Sequence, residues 1–431
     1  MTENKVTIRE KGREARQASL KLSTLPYETR QQALTKIAEK LRANEQMILQ
    51  ANEKDLKRSE QEGLAAPLMK RLRFDDHKLA DVIAGIESLK ELDNPIGDIT
   101  MQTELDNGLI LSRVTVPLGV LGIIFESRPD AFVQISTLAL KSGNGVMLKG
   151  GREAIETIRA LYETIRDAGH EGGLPDGWIQ NMETREEVNE MLALDEYIDL
   201  IIPRGSNAFV RYIMDHSRIP VMGHADGICH TYIDRDADID KAVRIAVDGK
   251  TQYPAVCNAT ETLLVHQDIA KAFLPKFREA IAAKNTELRG DEATQSIIDV
   301  KAADEADWKT EYLDYILSIK VVPDEQTAID HINRYGSGHT DAIVTENSDA
   351  AKAFTTGVDS ACVFVNASTR FSDGYRFGFG AEVGISTSKL HARGPVGLEG
   401  LCTYKYILRG NGDIVADYAD GKKHFTHKRL I

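Results

Sequence analysis

Cysteine is scarce and never paired. Four residues stand alone at 229, 257, 362 and 402, without a C-x-x-C pair or the density of a disulfide scaffold. That usage fits a reducing, cytoplasmic setting. No apolar run approaches the roughly 20 residues of a membrane span. The start, Met1-Thr2-Glu3-Asn4-Lys5, is polar where a signal peptide needs an apolar core. A membrane partner is therefore not expected. Positive charge is also in deficit: the net charge of −13 works against general nucleic-acid binding. It leaves room for a small anion in a local basic pocket. Histidines are scattered, with no H-E-x-x-H or Cys/His motif, so no metal is expected. No G-x-x-x-x-G-K-[ST] occurs, which argues against a P-loop ATPase. Gly378-Phe379-Gly380 and Gly410-Asn411-Gly412 lack the strand-to-helix context of a dinucleotide fingerprint.

With 431 residues, the chain has length for two or three domains, each with its own core. From Val6 to about Lys57 the apolar period is helical (Leu34, Ile37, Ala38, Leu41), and Pro26 is placed to open the second helix. Leu79–Leu89 repeats that period. Leu109–Val116 then reads as a strand, and Val120-Leu121-Gly122-Ile123-Ile124-Phe125 as one buried on both faces. Strands at 146–149 and 197–203 alternate with helices at 131–141 and 152–168 and one ending near 214. This alternation predicts a doubly wound α/β sheet.

Polar turns close these strands. Glu126-Ser127-Arg128-Pro129-Asp130 follows one of them, at the edge where open α/β sheets bind ligands. Lys149-Gly150-Gly151 and Arg204-Gly205-Ser206-Asn207 each join a strand to a helix N-terminus. There, free N–H groups, the helix dipole and a cationic side chain favour phosphate. Two such turns with Lys and Arg predict a nucleotide phosphate site of non-standard form.

Thr251-Gln252-Tyr253-Pro254-Ala255-Val256-Cys257-Asn258-Ala259-Thr260 joins a helical run (239–250) to a strand-like run (261–265). A thiol at such a junction suits nucleophilic attack on a carbonyl, with the Cys257 N–H and the Asn258 amide beside the sulfur as oxyanion donors. A lone cysteine is also commonly an inert packed hydrophobe. A second α/β segment follows to about residue 366, with strands at 316–322, 341–345 and 361–365. Residues 286–315, acidic and weakly patterned, read as a solvated face or a mobile element. The Gly/Ser/Arg-rich stretch 366–397 reads as a loop-built pocket wall, and 401–408 as a terminal strand before a polar tail that orders only against another subunit.

Five blocks together resemble the gamma-glutamyl phosphate reductases of the aldehyde dehydrogenase superfamily, over essentially the whole chain. They are Ile124–Asp130, Pro203–Asn207, Gly223–His230, Gln252–Asn258 and Gly380–Lys389. The resemblance implies an aldehyde dehydrogenase-like α/β fold: two doubly wound α/β domains with a small oligomerisation β-extension. Residues 1–228 would bind NADPH and include a hairpin near 100–117. Residues 229–385 would hold Cys257, and 386–431 would return through a strand that joins a neighbour's sheet in a homo-oligomer.

By the same resemblance, Cys257 attacks L-glutamyl 5-phosphate and expels phosphate, and NADPH reduces the resulting thioester to glutamate 5-semialdehyde for proline biosynthesis. Asn258 and Ser127 are the expected helpers. Lys149, Gly150, Gly151, Arg204, Gly205 and Ser206 are expected on the cofactor, and Arg128 and Arg370 on the substrate's anionic groups. Hydrolytic relatives carry a glutamate base about thirty residues before the nucleophile; His224 stands at that place, and no Glu occurs between 197 and 260. The rival enzyme classes are a hydrolytic aldehyde dehydrogenase and a cysteine-dependent acyltransferase or hydrolase using His224 or His230. A labile acyl phosphate also makes transient contact with glutamate 5-kinase an expectation.

Overall fold

The computed structural model describes residues 6–126, 128–224 and 226–431. Two compact units result: one runs to Met222 and takes in Val396–Ile431, and the other is Gly223–Pro395. The seams differ from the expected 228/229 and 385/386. Gly227 lies against Cys257, and the Ile228 N–H donates to Ser337 Oγ at 2.9 Å, which ties these two residues to the second unit. Lys389 and Arg393 both pair with Asp359, which ties in most of 386–395.

In the first unit, β1 (Ile99–Asp106) and β2 (Leu109–Pro117) form an antiparallel hairpin. It turns at Asn107-Gly108, where Gly108 adopts φ +79°, a conformation open to glycine. Strands β3 (Val120–Phe125), β4 (Gly145–Lys149), β5 (Ile179–Met182) and β6 (Leu200–Arg204) form a parallel sheet in the order β5-β4-β3-β6. Every residue of β3 is buried, as its unbroken apolar run requires. Helices Ile8–Leu22, Arg185–Met191 and Asn207–His216 pack Ile8, Ala15, Val188, Met191 and Ile213 with Val120 and Ile124 of β3 in one core. Arg16 holds the first helix in place through a fork onto both Asp199 oxygens, 2.8 Å each.

The second unit is a seven-stranded parallel sheet. Its strands are β7 (Cys229–Ile233), β8 (Thr260–His266), β9 (Glu287–Gly290), β10 (Lys301–Ala302), β11 (Ile316–Val322), β12 (Thr340–Val344) and β13 (Cys362–Val365), in the order β10-β9-β11-β8-β7-β12-β13. Helices Ile239–Thr251 and Gln267–Ala282 pack one core against it, and Glu325–Tyr335 and Ser348–Gly357 another. This is the double winding expected from the alternation. Asp238, Asp324 and Asn347 cap three of these helices with side-chain oxygens.

Two expectations are corrected. Residues 286–315 are not a solvated or mobile face: β9 and β10 lie there in the sheet, and Trp308 is buried. The acids that suggested solvent are used locally. Asp291 caps the helix Glu292–Gln295, and Asp307 accepts from Arg289 (2.7 Å) and Tyr312 (2.6 Å). Strands this short carry too little alternation to read. Second, the tail orders within the chain: Lys428 and Arg429 pair with β1, and Tyr418 stacks on Phe425. The strand Cys402–Arg409 pairs along its whole length with β2 of its own chain and forms the edge of that sheet. Strands β5 and β7 were also missing from the sequence reading.

One buried ion pair braces the second unit. Lys250 Nζ, in the last turn of its helix, meets Glu261 Oε2 of β8 at 2.5 Å, both side chains wholly buried. Burial pushes the Glu261 carboxyl up to about 7, against the pull of Lys250, and lowers Lys250 despite its partner. Glu261 thus holds a proton more tightly folded than unfolded, so its contribution is fully present below about pH 4.3 and fades as pH rises through about 7. Removing one partner strands the other, so Glu261→Leu should cost about 3–5 kcal/mol in urea unfolding. Lys250→Met/Glu261→Leu should recover most of that loss. Lys250→Met alone should lose stability more steeply than the native chain between about pH 6 and 8.

Candidate active site

The sheet order brings the predicted phosphate turns together. Register pairs Ile124 with Lys149 and Phe125 with Arg204, so Lys149 and Arg204 flank the carboxyl end of β3 from both sides. Exposed Arg128 stands at that end, preceding the helix Pro129–Lys141. Lys149 is half-buried, and burial lowers its pKa. A Cβ on Gly150 would lie 2.0 Å from Ile158 Cδ1, the end of a side chain, and 3.3 Å from the Phe125 ring. A Cβ on Gly151 would meet the Glu153 carboxylate at 2.0 Å, and one on Gly205 would meet Glu126 Oε2 at 2.9 Å. All three glycines thus face the ends of side chains and leave the backbone of the turns uncovered by a side chain of their own. Ser206 is the N-cap of Asn207–His216 without a side-chain cap bond, and no described backbone acceptor takes the N–H of Gly205 or Ser206. Two cations and open N–H donors at a helix start suit a phosphate-bearing cofactor, and the two carboxylates suit its hydroxyls. Ser127 lies outside the described residues.

In the second unit, Cys257 precedes β8 at the amino-terminal edge of the sheet and is half-buried. Its backbone is locked from three sides. Gly227 lies so close that a Cβ there would meet Cys257 O at 2.3 Å and Cα at 2.5 Å. The Cys229 thiol donates to the Cys257 carbonyl at 3.2 Å; burial and Asp341 raise the Cys229 pKa well above normal, so it stays a proton-bearing donor. Asn258 Nδ2 donates to the Ser372 carbonyl at 2.7 Å. That bond commits one Asn258 N–H to anchoring the loop, while its buried Oδ1 has no partner. The Cys257 N–H meets no described backbone acceptor, so it is open to a ligand.

Arg370 and Cys257 come together in this unit. Arg370 is buried, its Nε donates to Gln252 Oε1 at 2.9 Å, and it lies in electrostatic reach of Cys257. Burial and then neighbouring Arg376 lower its pKa. The 366–372 segment returns to this edge through Thr369 Oγ1, 3.1 Å from Thr260 Oγ1. Of the expected substrate arginines, Arg128 belongs to the first unit, with Lys149 and Arg204, and Arg370 to the second, with Cys257.

Two histidines flank the sulfur. Ligand atoms of His224, Cys257 and His339 all lie within 4.8 Å of one another. His339, missed in the sequence, sits one residue before β12, and its only signal was a Gly/Ser turn (Gly336-Ser337-Gly338) ahead of an apolar strand. His230, named with His224 as a base for a rival chemistry, is instead bound to Asp341, with Nδ1 at 2.9 Å, inside the sheet.

The grip on the Cys257 loop is directly testable. Gly227→Ala forces the Cys257 backbone to move by a fraction of an ångström or more. Turnover should fall by about 100-fold or more with a native circular-dichroism spectrum. Full activity in this variant would show that the loop position is not critical.

Comparison with known proteins adds the family. The family model for the aldehyde dehydrogenase family matches residues 2–307. A gamma-glutamyl phosphate reductase of Acetivibrio thermocellus is 61% identical over 425 residues, 99% of each chain. That of Pelotomaculum thermopropionicum is 59% identical over 423 residues, 98% of each. The solved gamma-glutamyl phosphate reductase of Thermotoga maritima is 42% identical and superposes with a TM-score of 0.93, covering 94% of this chain and 99% of its own. This chain belongs to the gamma-glutamyl phosphate reductases, oxidoreductases of the aldehyde dehydrogenase family.

Proposed function

We propose that the chain reduces L-glutamyl 5-phosphate to L-glutamate 5-semialdehyde with NADPH, releasing phosphate through a thioester on Cys257, in the cytoplasmic synthesis of proline. The observation that carries this reading is the setting of the sulfur. Among the described residues, the group of ligand atoms within 4.8 Å of one another that includes this sulfur holds two imidazoles and no carboxylate. A carboxylate base there would activate water and waste a thioester meant for reduction.

The Cys257 sulfur attacks the γ-carbonyl, and its own N–H meets the developing oxyanion. Phosphate leaves, and Arg370, held by Gln252, orients an anionic end of the substrate. Asn258 keeps the loop in register through Ser372. Lys149, Gly150, Gly151, Arg204, Gly205 and Ser206 would hold NADPH, which supplies the hydride when bound. The reduced adduct then collapses to the aldehyde and restores the thiol. Arg128 adds a further anion contact beside Lys149 and Arg204, and Ser127 remains a candidate helper. Exposed Tyr404, Tyr406 and Leu408 on the terminal strand support a homo-oligomer built on that sheet. Transient handover of the labile acyl phosphate from glutamate 5-kinase belongs to the same reading.

The decisive assay runs the reaction backwards with glutamate semialdehyde and NADP. NADPH should form only with added phosphate, and Cys257→Ser should abolish it. Phosphate-independent formation would instead indicate a hydrolytic aldehyde dehydrogenase. Arg370→Lys should raise KM for the acyl phosphate about 10-fold or more by losing a planar fork, and leave the alkylation rate of Cys257 unchanged.

A further inference from the structure

We infer that Cys257, His224 and His339 form a three-donor site for a thiophilic divalent cation of the Zn2+ class, which reversibly blocks the reactive sulfur. The donors come from three separate segments, ahead of β8, β7 and β12, and their atoms lie within 4.8 Å of one another. The two rings meet edge to face, centroids 4.9 Å apart at 80°, so neither covers the other's nitrogens by stacking.

Each imidazole is set for the task. His224 Nδ1 lies 3.0 Å from the Ile385 carbonyl, which can only accept, so Nδ1 carries the proton and Nε2 the lone pair. Such outer support is what metal-bound histidines have. His339 is wholly buried, its Nδ1 lies 2.8 Å from Thr340 Oγ1, and its Nε2 has no hydrogen-bond partner. A buried polar atom without a partner calls for an explanation, and a bound ion supplies one.

The donor set chooses the ion. One sulfur and two imidazoles, with no carboxylate among the described residues of the cluster, suit Zn2+ and exclude the oxygen-loving Mg2+ and Ca2+. Donors around tetrahedral Zn2+ stand about 3.3–3.6 Å apart, so side-chain rotations of about an ångström close the site. Three protein ligands leave a fourth position open. On binding, the sulfur forms the metal bond and its proton goes to solvent; a coordinated sulfur no longer attacks a carbonyl.

The test uses the full-length reduced protein, with Co2+ as a spectroscopic probe and Zn2+ as competitor. One Co2+ per chain should give a thiolate-to-cobalt charge-transfer band, displaced by Zn2+ and lost in Cys257→Ser. Zn2+ should also slow alkylation of Cys257, and a chelator should restore it. His224→Gln and His339→Gln should each weaken Zn2+ binding by about 100-fold or more with native circular dichroism. No charge-transfer band, or a band and affinity retained by both histidine variants, would overturn the assignment. These readouts do not use turnover, so they stand or fall apart from the reductase reading.

Discussion

A buried charge pair closes the base of the loop that carries Cys257. Lys250 ends the helix before the loop and Glu261 is the second residue of the strand after it, so their contact fixes the span that carries Cys257. Neither charge reaches solvent, and both are perturbed in the direction burial dictates. Such a pair is a poor source of net stability compared with apolar packing. Its value lies in registry: the Leu313 N–H also donates to Glu261, and Lys250 and Arg289 both face the Tyr312 ring. The acidic segment before β11 is thereby tied to the same clamp.

Above that clamp, small-scale crowding sets the sulfur's position. Gly227 leaves no room for a side chain against Cys257, Cys229 holds its carbonyl, and Asn258 ties the loop to Ser372. The polar edges of the two units differ in kind. The first unit gathers Lys149, Arg204 and Arg128 at the carboxyl edge of its strands, where helix starts present free N–H groups. The second uses the amino edge, where loops deliver a thiol, two imidazoles and one buried guanidinium.

Much of this was legible in the chain. The continuous apolar run Val120–Phe125 announced a buried parallel strand, and the turns after β4 and β6 announced themselves by Gly beside Lys or Arg. Cys257 stood out by its junction and by the blocks around it. The misses share a cause, since each depends on contacts between residues remote in sequence. Glu287–Gly290 is too short to display a period, and its place comes from pairing with β11. His339 has no local mark, because only the neighbouring positions of β7, β8 and β12 bring it to the sulfur. Asn258 looked like a free donor until the returning Ser372 carbonyl claimed one of its N–H bonds.

The central claim is that the sulfur of Cys257 exchanges with phosphate before any hydride moves. Its most direct test is the intact mass of the full chain, acid-quenched after mixing with glutamyl phosphate in the absence of nicotinamide. The account predicts a single glutamyl adduct on the peptide holding Cys257, with one phosphate released per adduct. An unmodified Cys257, or phosphate released continuously without an adduct, would contradict it.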